Sequence, residues 1–267
     1  MTGTGTQADP YIVDNWTEFM MIDTNSAEIF VRWADAENKT IDFNDIMPEG
    51  FSATVNFPAY VDFNGWTLRN FHSTAKYAII NQGNLIENLI FENFYITQCL
   101  MYGAFLLKNC IFSGIVQTTT NVTLFSGCGL QNSSLNIRTN AKVNVTVFGG
   151  GGFSSPKTQI TNSDVILDIL CKALSICDAT VKNSRISGKI QVVSSTNITL
   201  EKTLSMSNIF NVESNYPLKY SSSSISVFNS DIAEKSSDSN ASFVGVNSEQ
   251  LKNAEYLYSI GFPIGID

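Results

Sequence analysis

Residues 86 to 94, Ile86-Glu87-Asn88-Leu89-Ile90-Phe91-Glu92-Asn93-Phe94, hold a short phrase that recurs down the chain. An apolar residue, any residue and an Asn are followed by two mostly small or polar residues and then an apolar one. The phrase returns around Asn70, Asn88, Asn109, Asn132, Asn162, Asn183, Asn208 and Asn229, at intervals of 18, 21, 23, 30, 21, 25 and 21 residues. A period of roughly 20 to 25 residues is the mark of a solenoid, whose repeats bury their apolar faces only by stacking on one another. An Asn-rich chain scatters Asn by composition alone, but eight copies flanked by apolar residues favour a repeat.

The text between the Asn residues decides which solenoid. Helical repeats need apolar positions at 3.6-residue spacing over runs of ten or more. Here the runs are short and alternating, as in Val143-Asn144-Val145-Thr146-Val147 and Val165-Ile166-Leu167-Asp168-Ile169. They are rich in β-branched and aromatic residues and are punctuated by Asn and Ser, which is strand and turn chemistry. The expected fold is all-β: a single-stranded parallel β-helix of about eight to ten rungs, capped by short helices at both ends. Right-handedness follows from the preference of parallel crossovers. At about 4.8 Å per rung the rod is about 40 to 48 Å long. Asn suits the turns because it tolerates the left-handed conformation, and stacked Asn amides are expected to bond one another in a ladder.

The cap and core boundaries follow from where the pattern starts and fades. Residues 1–38 are assigned to an N-terminal cap, 39–235 to the β-helix and 236–267 to a C-terminal linker and capping helix. In the cap, Asn15 and Glu18 form a plausible capping pair for a short helix, on which Trp16, Phe19 and Met20 share a face. Near the other end, residues 247–258 read as one helix, with Asn247 and Gln250 as its capping box, Leu251, Ala254 and Leu257 or Tyr258 on one face, and Gly261 and Pro263 as its stop. Gly149-Gly150-Gly151-Gly152 reads as a turn or inserted loop that accounts for the 30-residue interval.

Composition narrows the function. A net charge of −8 argues against a nucleic-acid surface, and no run of 18 apolar residues predicts membrane insertion. Five Cys with no Cys-x-x-Cys, and His72 as the one His, leave no metal site and point to packed, reduced thiols. No cofactor is expected. No secretion signal is read near Met1, and with the unpaired Cys this leads to the expectation of folding in a reducing cytoplasm.

The opening Gly3-Thr4-Gly5-Thr6, then Asp9-Pro10-Tyr11-Ile12-Val13 and an amphipathic helix, resembles the leader of many bacterial and phage β-helix proteins. The coils that follow are similar to those of tailspike-like and pectate-lyase-like β-helices, and Gly261-Phe262-Pro263-Ile264-Gly265 is similar to the C-terminal segments of some phage-encoded ones. The resemblance implies a virion-surface location, other virion proteins as partners, side-by-side trimers and contact with host surface polysaccharide.

Catalysis on such a polysaccharide needs two carboxylates about 5 to 9.5 Å apart. None lies between Glu92 and Asp164, while eleven of the 24 acids fall in the first 62 residues. Asp164, Asp168 and Asp178 form the best late cluster, although the first two are expected to share a side only across a bulge. Asp62, Arg69 and His72 form the one mixed grouping, with a surface ion pair as the simpler reading. Among aromatic residues Tyr95, Tyr102, Tyr216 and Tyr220 are the candidates for exposed sugar contacts. The expectation is a non-enzymatic structural or adhesive protein of a phage tail, baseplate or capsid surface. The alternatives are a polysaccharide lyase or glycoside hydrolase with a hidden site, and a bacterial surface adhesin domain.

Overall fold

The computed structural model describes residues 1–24, 28–81, 83–103, 105–141, 143–149, 158–171, 173–177, 179–182, 184–192, 198–200, 205–206, 209–214, 218–220, 226–229 and 243–259. Among the described residues the strands form three parallel sheets, of nine, eleven and eight strands. Each coil visits them in turn. Leu85–Glu87 lies in the first sheet, Ile90–Ile96 in the second and Cys99–Tyr102 in the third. The next coil repeats the route with Leu106–Lys108, Ile111–Val116 and Val122–Ser126. The eight strands of the third sheet each close one such coil, so the fold is a parallel β-solenoid.

Alternation along each strand decides what points inward. In Asp164–Cys171 the even positions face out, and Val165, Leu167, Ile169 and Cys171 are buried. A period of two puts residues i and i+4 on the same face, so Asp164 and Asp168 share the outer side without any bulge. The sequence expectation that they needed one is corrected. A bulge does occur elsewhere, where the pairing of Ile90–Ile96 with Ile111–Val116 shifts between Glu92 and Phe94. The extra residue, Asn93, takes a left-handed φ of 51°. Opposite it, Gly114 leaves room for the Phe94 ring, which a Cβ there would meet at 2.4 Å.

The core is filled coil upon coil. An aromatic column descends through Phe43, Phe71, Phe91, Phe112, Phe125 and Phe148, with successive ring centroids 5.0, 5.4, 6.1, 5.9 and 5.4 Å apart. Leu, Ile and Val from the three sheets surround it. Cys99, Cys110, Cys128 and Cys171 are buried free thiols. Burial pushes the Cys99 and Cys110 thiols up to about 12, since a thiolate loses its hydration there.

The first end has the expected strand and the helix capped by Asn15, but at both ends the sheets extend into the stretches assigned to caps. The first sheet begins at Tyr11–Val13, inside the stretch assigned to the cap, and Tyr11–Val13 pairs in parallel with Phe30–Trp33. Thr2 bridges Ile12 in the antiparallel sense, which occupies the outer edge of that first strand. The helix Trp16–Met20 then folds over the open end. The Asn15 side chain caps it by accepting from the Glu18 N–H at 2.9 Å, while the Glu18 carboxylate turns to the N-terminal ammonium of Met1. Phe19 is buried against Trp33, Phe57 and Phe63, and Trp16 packs on Phe43 and Phe51. Met20 does not join them and is exposed.

At the other end, Phe243–Val246 is a strand of the second sheet, pairing with Ser226–Asn229. The expected single helix is two, Ser248–Leu251 and Ala254–Ser259. Asn247 and Gln250 form the capping box on the first. Asn253 caps the second by accepting from the Tyr256 N–H at 3.0 Å, which explains the break. Leu257 packs on Val246 with Leu251 and Tyr256 beside it. Gly261 and Pro263 lie outside the described residues. So do Gly150 to Lys157, between the strands Asn144–Gly149 and Thr158–Thr161, where the longest interval falls.

Candidate functional site

The corner between the first and second sheets is built by the repeated Asn. Asn88, Asn109, Asn132 and Asn162 each follow a first-sheet strand and take φ values of 58°, 53°, 50° and 49°. Asn reaches this conformation at low cost because its short amide bonds locally. The side chains form a directional ladder. Asn162 Nδ2 donates to Asn132 Oδ1 at 3.2 Å, Asn132 to Asn109 at 3.4 Å and Asn109 to Asn88 at 3.2 Å. Asn88 donates in turn to Asp62 Oδ1 at 2.8 Å. A carboxylate only accepts, so Asp62 ends a chain whose donors all point toward the N-terminus.

Asn70 belongs to a different stack. It follows the second-sheet strand Thr67–Arg69, donates to Asp42 Oδ1 at 2.8 Å and accepts from Asn93 Nδ2. That hydrogen bond holds the Asp42 carboxyl below its usual range, opposed by desolvation and assisted by the Asn44 N–H and Arg69. Asn229 lies within a second-sheet strand, in register with Val246. Asn183 and Asn208 lie outside the described residues.

One position past the ladder runs a second, buried stack. Ser133 Oγ accepts from the Cys110 N–H at 3.0 Å, Ser163 Oγ from the Ser133 N–H at 3.2 Å and Ser184 Oγ from the Ser163 N–H at 3.1 Å. The hydroxyls donate to strand-end carbonyls, as Ser133 does to Gln131 O at 2.9 Å. In the repeated phrase these positions are only small or polar. Their signal was the Ser or Cys that directly follows Asn109, Asn132, Asn162 and Asn183.

Along this corner lies an open groove of about 650 Å³. Asn109, Asn132 and Asn162 line it with Ile111, Ser134 and, at one end, Asp164 clasped by Arg185. Arg185 Nε donates to Asp164 Oδ1 at 3.0 Å, and its Nη2 reaches Oδ2. This pairing raises the Arg185 pKa further. Amides, hydroxyls and one apolar side chain suit contact with neutral polar groups. The single carboxylate is already held bidentate, with both oxygens engaged by Arg185.

The other candidates are dispersed. Asp168 sits four residues along the strand from Asp164, about 13 Å at strand rise, beyond the spacing of a glycosidase pair. It is flanked in register by Arg138 and Lys189, and Arg138 Nε lies 3.7 Å from its Oδ2. Asp178 lies outside the described residues. Asp62 and Arg69 stand on different sheets. Asp62 faces Arg32 at 3.5 Å, Arg69 bonds Asp42 at 2.8 Å, and His72 meets the edge of Tyr95. Tyr95 is half-buried and donates to Gln117 Oε1 at 2.8 Å on the second sheet. Tyr102 packs on Tyr77 at 4.3 Å on the third sheet, so the two candidates share no surface. The backbone of Tyr220 lies in the third sheet, and Tyr216 lies outside the described residues. Among the described residues no group of three His, Cys, Asp or Glu is placed to hold a metal ion.

Fold and corner together define the chain as a parallel β-solenoid whose coils are tied by amide and hydroxyl ladders. No known protein family, characterised protein or solved structure matches it.

Proposed function

We propose that the chain is a non-enzymatic structural or adhesive protein of a bacteriophage or phage-derived particle, carried on its tail, baseplate or capsid surface. The observation that supports this most is what four of its coil carboxylates do. Asp42 bonds Arg69 and Asn70, Asp62 faces Arg32 and Asn88, Glu87 bonds Lys108 at 3.2 Å, and Asp164 bonds Arg185. Each joins one coil to the next. Acids committed to holding adjacent coils in register serve a rigid rod, whereas a hydrolase keeps a pair free to face substrate. The resemblance of the leader to phage and bacterial β-helix proteins supports the location. Host polysaccharide is assigned to the amide-lined corner groove, other virion proteins to the remaining contacts.

The test is mass spectrometry and immuno-electron microscopy of purified particles from the producing strain. The chain is expected in fixed stoichiometry at one place on the particle. Free protein in the lysate, with none on particles, overturns the reading. Release of sugar fragments from host polysaccharide, lost on Asp164→Asn or Asp168→Asn, establishes the depolymerase instead.

A further inference from the structure

The charge of this chain is not spread along it. Residues 1–62 hold eleven acids against two bases, Arg32 and Lys39, a net of −9, while the whole chain carries −8. The remaining residues therefore sum to +1. All the excess negative charge sits at the end closed by the aromatic plug.

The same end exposes apolar side chains that the plug leaves unused. Seven large apolar residues are exposed among the described ones, and five of them are Met1, Met20, Met21, Ile46 and Met47. Met21 is 72 % exposed, and Met20, Ile46 and Met47 are each more than 40 % exposed. Four of them end the two short helices, Met20 and Met21 the first and Ile46 and Met47 the second, and the helices meet through their first residues. Trp16 of Trp16–Met20 meets Phe43 of Phe43–Ile46 edge-on, with ring centroids 4.9 Å apart. Met20 lies one turn past Trp16 and Ile46 one turn past Phe43, about 5 Å of helix rise in each case. Met21 and Met47 follow directly. Exposed carboxylates of Asp45 and Glu49 bracket Ile46 and Met47 in the chain.

We propose that this end of the solenoid is a docking surface for a protein partner that presents cationic side chains around an apolar socket. Methionine is the side chain best able to fill such a socket, because its unbranched thioether adapts to the shape offered. The acidic rim steers a basic partner and fixes its approach. The same charge argues against other occupants. Two caps meeting face to face bring together like charges, and an anionic lipid surface repels this end. The proposal goes beyond the particle reading and is tested on the purified chain alone, so the two fail separately.

The probe is a labelled amphipathic helix of Lys and Leu, with cationic residues bordering its apolar face, titrated with the full chain in fluorescence anisotropy. Binding is expected to weaken about tenfold between 0.15 and 0.5 M salt. Met20→Ser/Met21→Ser/Ile46→Ser/Met47→Ser is expected to lose about tenfold in affinity, and Asp45→Lys/Glu49→Lys a similar factor together with much of the salt dependence. Ile115→Ser, on the outer face of the second sheet, serves as the control and stays within about twofold. All these side chains are exposed, so the variants fold, which unchanged melting curves verify. Equal affinity across the variants overturns the proposal. So does binding to phosphatidylcholine–phosphatidylglycerol vesicles, or self-association of the chain, that the four-residue Ser variant abolishes.

Discussion

The first two coils and the middle coils solve the same stacking problem with different chemistry. From Phe30 to Asn81 the interior is aromatic, with Trp33, Phe43, Phe57, Phe63 and Phe71 closed over by Phe19. From Leu85 to Cys171 aliphatic residues and thiols fill most of the space beside the Phe column, with Phe94 and Phe105 as its added rings. The corners differ in the same way. At the beginning each side-chain ladder rests on a carboxylate, Asp42 under Asn70 and Asp62 under Asn88, and further along only amides follow. Among the described residues Asp42 lies on the first strand of the second sheet, with no earlier strand to bond. Asp62 turns to Arg32 of the strand before it, so in each case the amide ladder stops at the carboxylate. An acceptor-only group ends it without leaving a donor unpaired. Large rings likewise cover an opening that no further coil covers.

The largest effects expected from this contrast lie in the core. Phe112→Ala removes a fully buried ring from the middle of the column and is expected to cost about 3 to 5 kcal/mol in urea unfolding. Phe19→Ala deletes a ring of the same size, but its neighbours belong to the plug. Its cost is expected to appear as local opening of the first two coils, read as faster amide exchange from Val31 to Ile80 with protection from Phe91 to Ile169 retained. Uniform loss of protection in both variants breaks the distinction between end and middle.

Effects at the corner are smaller and separable. Asn132→Ala is expected to cost about 2 to 3 kcal/mol, from a left-handed φ that Ala resists and from two ladder bonds. Asn132→Gly keeps the backbone conformation and loses only the bonds, about 1 kcal/mol. Asp62→Ala, leaving Asn88 without its acceptor, is expected to cost about 1 kcal/mol as well. Equal losses for Asn132→Ala and Asn132→Gly mean that backbone conformation contributes nothing.

Titration sharpens the comparison because the two regions respond to opposite ends of the pH scale. The folded Asp42 carboxyl lies below its unfolded value, chiefly through the Asn70 hydrogen bond. Its contribution is therefore present above pH about 4 and lost as pH falls through the folded value. Amide protection at Thr40–Asp42 and Thr67–Arg69 is expected to drop in acid, with Asp42→Asn abolishing the step. The amides from Asn109 to Asn162 have no proton to gain and show no such step. In the middle coils Cys99 and Cys110 are raised to about 12. Their burial as neutral thiols stabilises fully below pH about 8.5, and this contribution declines as pH rises toward 12. An alkaline decline in unfolding midpoint, reduced in Cys110→Ser, is the expected outcome.

The fold was legible because the Asn phrase and the alternating strands report the same coil from two directions. Asn88, Asn109, Asn132 and Asn162 occupy one corner because a turn needing φ near +50° selects Asn each time. Asn70 carries the same phrase within the second sheet, beside the bulge residue Asn93, since apolar-x-Asn describes any strand that ends in a left-handed residue. Local sequence does not say which sheet the strand joins. The site candidates were less legible for the same reason. Asp62 and Arg69 are seven residues apart yet on different sheets, while Asp164 and Arg185, 21 residues apart, are in direct contact. Partners in a solenoid are one period away, and the period itself varies.

The smallest effect belongs to the buried stack beside the ladder, where the two chemistries can be exchanged. Cys110 precedes Ser133, Ser163 and Ser184 in the stack, and its thiol points to Lys108 O at 3.3 Å, as the Ser133 hydroxyl does to Gln131 O at 2.9 Å. Cys110→Ser therefore meets an acceptor already in place and is expected to shift stability by less than about 0.5 kcal/mol at neutral pH. Ser133→Ala is not equivalent. It leaves the Cys110 N–H without an acceptor in a buried corner, at a cost of about 1 to 3 kcal/mol. A stack that tolerates exchange of sulfur for oxygen at its first position, but not loss of a heteroatom at its second, is held by hydrogen bonds between coils rather than by the volume of its side chains. Similar losses for both variants, measured by urea unfolding, make it a packing feature.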